Sequence, residues 1–196
     1  MNKALLHPET QEFIRTFEGD PLKLSFSKAP FEKISSQELI QQIEGLHKSK
    51  KKLPTWYNTP GIYFPKKLNL EQTSSEITAQ YKSTLLSGNS IVDLTGGLGI
   101  DSFYFSKVFD FVTHLEIDPE LSTIAAYNFK VLGANSIICS SEDSIKHIEK
   151  HDYDVIYLDP VRRNKQNKKV YHLNDCTPDV LQHLDLLVHQ GKYIYY

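Results

Sequence analysis

Asp93-Leu94-Thr95-Gly96-Gly97-Leu98-Gly99 is the stretch on which the reading of this chain turns. It follows Ser90-Ile91-Val92 and runs into Ile100-Asp101-Ser102-Phe103. The order is strand, glycine turn, helix. Gly96, Gly97 and Gly99 let the backbone turn sharply and approach a ligand closely. The start of the next helix, near Ile100 and Asp101, offers free N–H groups suited to a carboxylate. The strand-end acid, Asp93, suits an ammonium. The loop therefore fits a ligand that carries both groups. A glycine turn that merely joins a strand to a helix remains the plain alternative for the loop alone.

Two competing loops fail on spacing. Counting G-x-G-x-x-G from Gly97 places the third glycine at Ser102, so the dinucleotide fingerprint is absent. No Gly-Lys-Ser/Thr follows, so the loop is no phosphate-binding P-loop.

Moving outward, strand and helix alternate. Residues 90–94, 111–116, 136–139 and 153–158 read as strands, and 100–108, 119–132 and 144–149 as helices. Pro119 sits in the first turn of its helix and Gly133 just past its end. This alternation predicts a parallel sheet covered on both faces, with ligands at the carboxyl ends of the strands.

That rule selects more residues. Glu116 closes the second strand and is placed to accept hydrogen bonds from ribose hydroxyls. Ile117 is placed to pack on a base. Asp143 follows the third strand, where it either accepts an exocyclic amine or simply caps the helix that starts at Ser144. Asp159 ends the fourth strand, and Pro160 keeps the chain extended beyond it. Asp159 is placed to orient a group-transfer acceptor or take its proton; a loop aspartate starting a turn is the alternative. Arg162, Arg163, Lys165, Lys168 and Lys169 then crowd one loop with no acid among them, which suits a phosphate backbone.

The first part of the chain differs. Helical periodicity runs over 12–17 and 36–47, where Leu39, Ile40, Ile43 and Leu46 share one face and Ser36 is a candidate cap. Pro54, Pro60 and Pro65 mark 53–67 as an extended or looped connector. Lys48, Lys50, Lys51 and Lys52 precede Trp56 and Tyr57. These aromatics either stack on unpaired bases or fold onto the core. Thr73 and Glu76 have the spacing of a capping box, and Ile77, Tyr81, Leu85 and Leu86 form the apolar face of the helix it opens. The expected organisation is a small helical N-terminal domain over 1–68 and an α/β domain over 69–196.

Bulk composition narrows the class. Of 196 residues, 40% are hydrophobic and 23% charged, so a core can form. A net charge of −2 gives no global bias toward nucleic acid or membrane, so any basic surface is local. Cys139 and Cys176 suggest neither a disulfide framework nor a metal site, and the N-terminus has no long apolar stretch. A cytoplasmic protein without membrane or metal is the expectation.

With these residues assembled, the chain resembles class I S-adenosylmethionine-dependent methyltransferases. Their first motif, D-x-G-x-G-x-G, corresponds to 93–99, with Thr95 where the family has its first glycine. The resemblance implies a Rossmann-like sheet and S-adenosylmethionine as cofactor, with its methionine end on Asp93, Thr95, Gly96, Gly97, Gly99 and Asp101. Glu116 then takes the ribose, and Ile117 and Asp143 the adenine. Asp159-Pro160 resembles the start of the D-P-P-Y acceptor motif of amino-methylating enzymes, with Val161-Arg162 in place of proline and aromatic. A closer resemblance is to a bacterial group of methyltransferases with a THUMP-like domain. It rests on 41–43, 51–54, 71–76, 93–99 and 159–163 and implies an RNA substrate, contacted here by Arg162, Arg163 and Lys165. Methylation of pyrimidine C5 would need a cysteine nucleophile, and Cys176 reads better as a buried small residue.

A helix over 178–188 and a strand starting at Gly191 complete the pattern. A full domain of this class adds two strands, so the chain reads as a truncated domain whose open sheet edge invites self-association. Two other functions remain open: a cofactor- and RNA-binding module without turnover, and a nicotinamide-dependent oxidoreductase.

Overall fold

The computed structural model describes residues 1–160 and 179–196. Helices α1 (Pro8–Thr16), α2 (Ser36–Lys52), α3 (Pro54–Asn58), α4 (Lys67–Gln72) and α5 (Glu76–Thr84) come first. Strand β1 (Ser90–Asp93), helix α6 (Ile100–Phe105), strand β2 (Phe111–Leu115), helix α7 (Pro119–Val131) and strand β3 (Ile137–Ser140) follow. Helix α8 (Ser144–Ile148), strand β4 (Tyr153–Tyr157), helix α9 (Leu184–Gln190) and strand β5 (Gly191–Tyr195) close the described chain.

The five strands form one sheet in the order β3-β2-β1-β4-β5, and every pairing is parallel. The order reverses between β1 and β4, where the first crossovers run one way and the later ones return over the other face. That switch point opens a crevice beyond the strand ends. Side chains alternate across the sheet as strand geometry requires. Ile91, Val112, Val155 and Tyr157 join the core on one face, and Val92, Leu115, Ile156 and Leu158 the core on the other.

The first face is covered by the N-terminal helices together with α6 and α7. Leu39, Ile43, Trp56 and Phe64 belong to the same contiguous core as Phe103, Phe105 and Phe129. Two buried amides tie the 62–65 strap into this layer. Gln42 Oε1 accepts from Phe64 N at 2.8 Å and its Nε2 donates to Phe64 O at 2.8 Å. Asn128 Oδ1 accepts from Tyr63 N, and its Nδ2 donates to Tyr63 O, both at 2.9 Å. Tyr63 and Phe64 thus satisfy their buried backbone groups without a strand partner.

Several sequence expectations change here. The cap of α2 is Ser35, not Ser36: its side chain accepts from Glu38 N while Glu38 reaches back to Ser35 N. The 53–67 connector holds helix α3, because Pro54 occupies a first-turn position where proline costs nothing. Trp56 is fully buried against Phe103, so stacking on bases is ruled out for it. The cap of α5 is Ser75, not Thr73. Glu76 does not close a capping box; its buried carboxylate accepts from Thr55 N, Thr55 Oγ1 and Tyr104 OH.

Most of the expected face of α5 is reversed as well, although Leu86, just past its end, packs against the core. Ile77, Tyr81 and Leu85 are 78%, 63% and 49% exposed, while Ala79 and Ser83 face inward. Small residues let α5 approach its neighbours closely. The 100–108 helix stops at Phe105, and the helix expected over 178–188 is α9, starting at Leu184. No helix among the described residues is long and apolar enough to cross a membrane.

Candidate functional site

A cleft of about 520 Å³ lies at the carboxyl ends of the strands. Its walls come from the glycine loop after β1, the loops after β2 and β3, the tail of β4, the turn between α4 and α5, and residues just before α9. The volume is in the range of small-molecule sites, roughly 300–1,000 Å³.

The glycine loop needs its glycines for different reasons. Gly97 and Gly99 have φ of 55° and 84°, the left-handed region that other residues enter at a cost. At Gly96 the φ is ordinary, but a Cβ would collide with the imidazole of His114 packed beneath it. Thr95 Oγ1 accepts a hydrogen bond from Asp159 N at 2.8 Å, joining the loop to the tail of β4.

Asp93 lies behind the cleft wall, not on it. It is 1% exposed and absent from the cleft lining, as is Gly99. Its Oδ1 accepts from Thr95 N at 3.0 Å and its Oδ2 from Ser102 Oγ at 2.7 Å. Direct contact between Asp93 and a ligand's ammonium is therefore corrected to a staple that holds the loop from below. Strand alternation explains the placement, since Asp93 shares the face of Ile91 and points into the layer under α6. Burial raises its pKa to about 7. Ser102 Oγ also lies 3.0 Å from His114 Nδ1, whose ring burial lowers its pKa to about 4. Asp93, Ser102 and His114 thus form a buried polar chain, and His114 Nε2 has no hydrogen-bond partner among the described residues.

Glu116, Ile117 and Asp143 all line the cleft. Glu116 Oε2 accepts from Gly97 N at 2.9 Å and Oε1 from Asp118 N at 2.8 Å, so it bridges two loops. Ile117 is 75% exposed, an apolar side chain held out over the cleft. Asp143 caps α8 through Ile145 N and Lys146 N while still facing the cleft. Asp101 and Asp159 line its other end. Pro160 is buried just beyond Asp159. Arg162, Arg163, Lys165, Lys168, Lys169 and Cys176 lie outside the described residues.

The sequence reading missed a cluster at that end. Lys82 Nζ of α5 donates to Tyr157 OH at 2.6 Å, Ser74 Oγ at 3.0 Å, and Asp101 and Asp159 at 3.3 Å each. Burial first, then the carboxylates of Asp101, Asp93 and Asp159, push the Tyr157 hydroxyl well above its ordinary pKa, so it stays protonated. Nothing in the pattern of α5 marks Lys82. Ser102 and His114 carried a weak signal, as polar residues inside otherwise apolar elements.

The charge of the wall is one-sided. Asp101, Glu116, Asp118, Glu142, Asp143, Asp159 and Asp179 line it, and among the described residues it carries no lysine or arginine. Such a wall favours a cationic ligand and opposes a diphosphate. Among the described residues, no three His, Cys, Asp or Glu side chains group to hold a metal ion.

No protein-family model matches the sequence, and no curated protein matches it either. Solved structures do. A protein from Porphyromonas gingivalis W83, provisionally assigned as a methyltransferase, matches with a TM-score of 0.76 and 26% identity, over 96% of this chain and 47% of its own. The chain therefore spans about half the length of that protein. A SAM-dependent methyltransferase from Agrobacterium tumefaciens matches at 21% identity and a TM-score of 0.42, over 57% of this chain and 39% of its own. A tRNA m1G37 methyltransferase from M. jannaschii matches at 14% identity and a TM-score of 0.46, over 63% and 36%. The chain has the Rossmann-like α/β fold of class I methyltransferases.

Proposed function

We propose that this chain binds S-adenosylmethionine in the strand-end cleft and forms the cofactor-binding part of an enzyme that methylates RNA. The observation that carries the cofactor is the acidic wall around a glycine loop. S-adenosylmethionine presents an ammonium and a sulfonium, two positive charges, where a nicotinamide dinucleotide presents a diphosphate. The likeness to the Porphyromonas gingivalis protein supports the same reading.

In this reading Thr95, Gly96 and Gly97 hold the methionine end, with Asp101 beside it and Asp93 and Gly99 shaping the loop from behind. Glu116 exchanges its bonds to Gly97 N and Asp118 N for the ribose hydroxyls. Ile117 covers one face of the adenine, and Asp143 accepts its exocyclic amine. Bound S-adenosylmethionine supplies an electrophilic methyl group. Asp159 orients the acceptor toward it, and Thr95 fixes Asp159 against the loop. Rate enhancement comes chiefly from alignment.

RNA as acceptor rests on the basic run Arg162, Arg163 and Lys165 immediately after Asp159. The Lys48 segment is a weaker candidate. Lys48 is paired with Glu71, and Lys52 donates to the carbonyls of Leu70 and Glu71. The THUMP-like relationship and a cytoplasmic location belong to this proposal on the sequence resemblance alone. Self-association through the outer edge of β5 belongs to it as well, since that edge has no strand partner among the described residues.

Titration calorimetry tests the cofactor. The expected result is binding of S-adenosylmethionine, competed by S-adenosylhomocysteine and not by NAD; competition by NAD alone would overturn it. Transfer of labelled methyl to total cellular RNA, with protein as the control acceptor, tests the substrate.

A further inference from the structure

Lys82 stands at the centre of the cluster beside Asp159. It projects from α5, outside the sheet, yet its ammonium meets groups from three other elements. These are Ser74 of the turn before α5, Asp101 of α6, and Tyr157 and Asp159 of β4 and its tail. Its side chain is 15% exposed and that of Asp101 14%, so solvent screens the pair only weakly. Asp159 is 57% exposed and turns its free side to the cleft. The ammonium also sits 5.1 Å from the centre of the Tyr157 ring. Tyr157 OH accepts from Lys82 and donates to Asp101 Oδ2 at 3.3 Å, so the hydroxyl relays one contact into the next. A compact ammonium with three rotatable donors suits these converging oxygens; a planar guanidinium does not.

We propose that Lys82 is a positioning residue, pinning Asp159 and Asp101 together and setting the charge that a cofactor's transferable group meets at that end of the cleft. The inference rests on the S-adenosylmethionine reading and goes beyond it by assigning a role to a residue that does not itself line the cleft. Two carboxylates share one cation there. Without the cation they face the cleft as an uncompensated pair.

The two forms of the cofactor report this charge. S-adenosylmethionine is cationic at sulfur, and S-adenosylhomocysteine is neutral there. The ratio of their affinities senses local charge and is insensitive to a general loosening of the site. For a cationic sulfur about 6 Å away, removing one unit charge would shift the ratio about threefold at low salt with water-like screening.

The test measures both affinities by calorimetry in the whole chain and its variants. Lys82→Met is expected to shift the ratio toward S-adenosylmethionine by threefold or more. Asp159→Asn is expected to shift it in the opposite direction, and Lys82→Arg to leave it within about twofold. If the ratio is unchanged in Lys82→Met, the inference is overturned while the cofactor reading stands, whatever Asp159→Asn does. If the unmodified chain binds neither compound, the cofactor reading fails and this inference with it. Should Lys82→Met not fold, by circular dichroism, Lys82→Gln takes its place, and an unmoved ratio there overturns the proposal.

Discussion

The Thr95 hydroxyl accepts the Asp159 amide at 2.8 Å, so the residue that departs from the glycine motif is the one that clamps the fourth strand's tail to the loop. Thr95→Val removes the acceptor and keeps the volume. The lost bond is worth about 1 kcal/mol. The melting temperature should fall by a few degrees, and affinity for S-adenosylmethionine by roughly fivefold. Thr95→Gly restores the motif and loses the clamp, so it should weaken binding at least as much. An unchanged or improved affinity in Thr95→Gly, read by calorimetry, would show that the clamp has no part in binding.

Strands β1, β2 and β4 were legible because each is a short apolar run that leads to an acid, Asp93, Glu116 or Asp159. Helix α7 was legible because Pro119 and Gly133 bracket it. The N-terminal layer was not. Pro54 reads equally as a breaker and as a first-turn residue, and only the burial of Trp56 decides between them. The strap at 62–65 depends on Gln42 and Asn128, residues 22 and 65 positions away, which no local pattern connects to it. The face of α5 misled because Ala79 and Ser83 pack by smallness while Ile77 and Tyr81 stay outside. In the site, the rim acids Glu116, Asp143 and Asp159 follow from strand ends alone. The burial of Asp93 follows from alternation with Ile91. Lys82 reaches the rim from another layer, so its role needs the packing.

The Asp93–Ser102–His114 chain makes a pH prediction with a definite sign. Unfolded, the aspartate titrates near pH 3.9 and the histidine near about 6.5. Folded, burial places Asp93 at about 7 and His114 at about 4. Between about pH 4 and 6.5, folding moves one proton from the imidazole to the carboxyl, and the net uptake is zero. The pair thus adds no pH slope there. Asp93→Asn leaves the histidine alone, and stability should rise from pH 4 to 6.5 by up to about 1.4 kcal/mol per unit. His114→Gln leaves the aspartate alone, and stability should fall as pH rises from about 4 to 7. Urea unfolding across this range reads both; parallel profiles in the two variants would sink the coupling.

Glu116 accepts from Gly97 N and Asp118 N, and under the proposed reading the ribose hydroxyls bond to the same carboxylate. Ribose hydroxyls bonding to this carboxylate are worth roughly 1.5–3 kcal/mol each. Glu116→Ala should therefore lower affinity for S-adenosylmethionine at least tenfold. The unmodified chain should prefer the cofactor over its 2′-deoxy analogue, and Glu116→Ala should erase that preference. Equal discrimination in both proteins would place the ribose elsewhere.

Asn128 makes the layer over the sheet's first face depend on one buried amide. It is fully buried, and its two bonds to Tyr63 leave neither backbone group of that residue free. Asn128→Leu keeps the volume close and orphans a buried N–H and a buried C=O, each costing about 1–3 kcal/mol. Urea unfolding should show a loss of roughly 2–4 kcal/mol. Gln42→Met orphans the neighbouring Phe64 N–H, whereas Gln41 Nε2 still donates to Phe64 O at 3.0 Å, so its cost should be smaller. Both side chains hold the same strap. Once one is lost, the strap shifts and the second has less to hold. The double variant should therefore lose less than the sum of the two single losses. Strict additivity would mean that Tyr63 and Phe64 are held independently and that the strap is no cooperative unit.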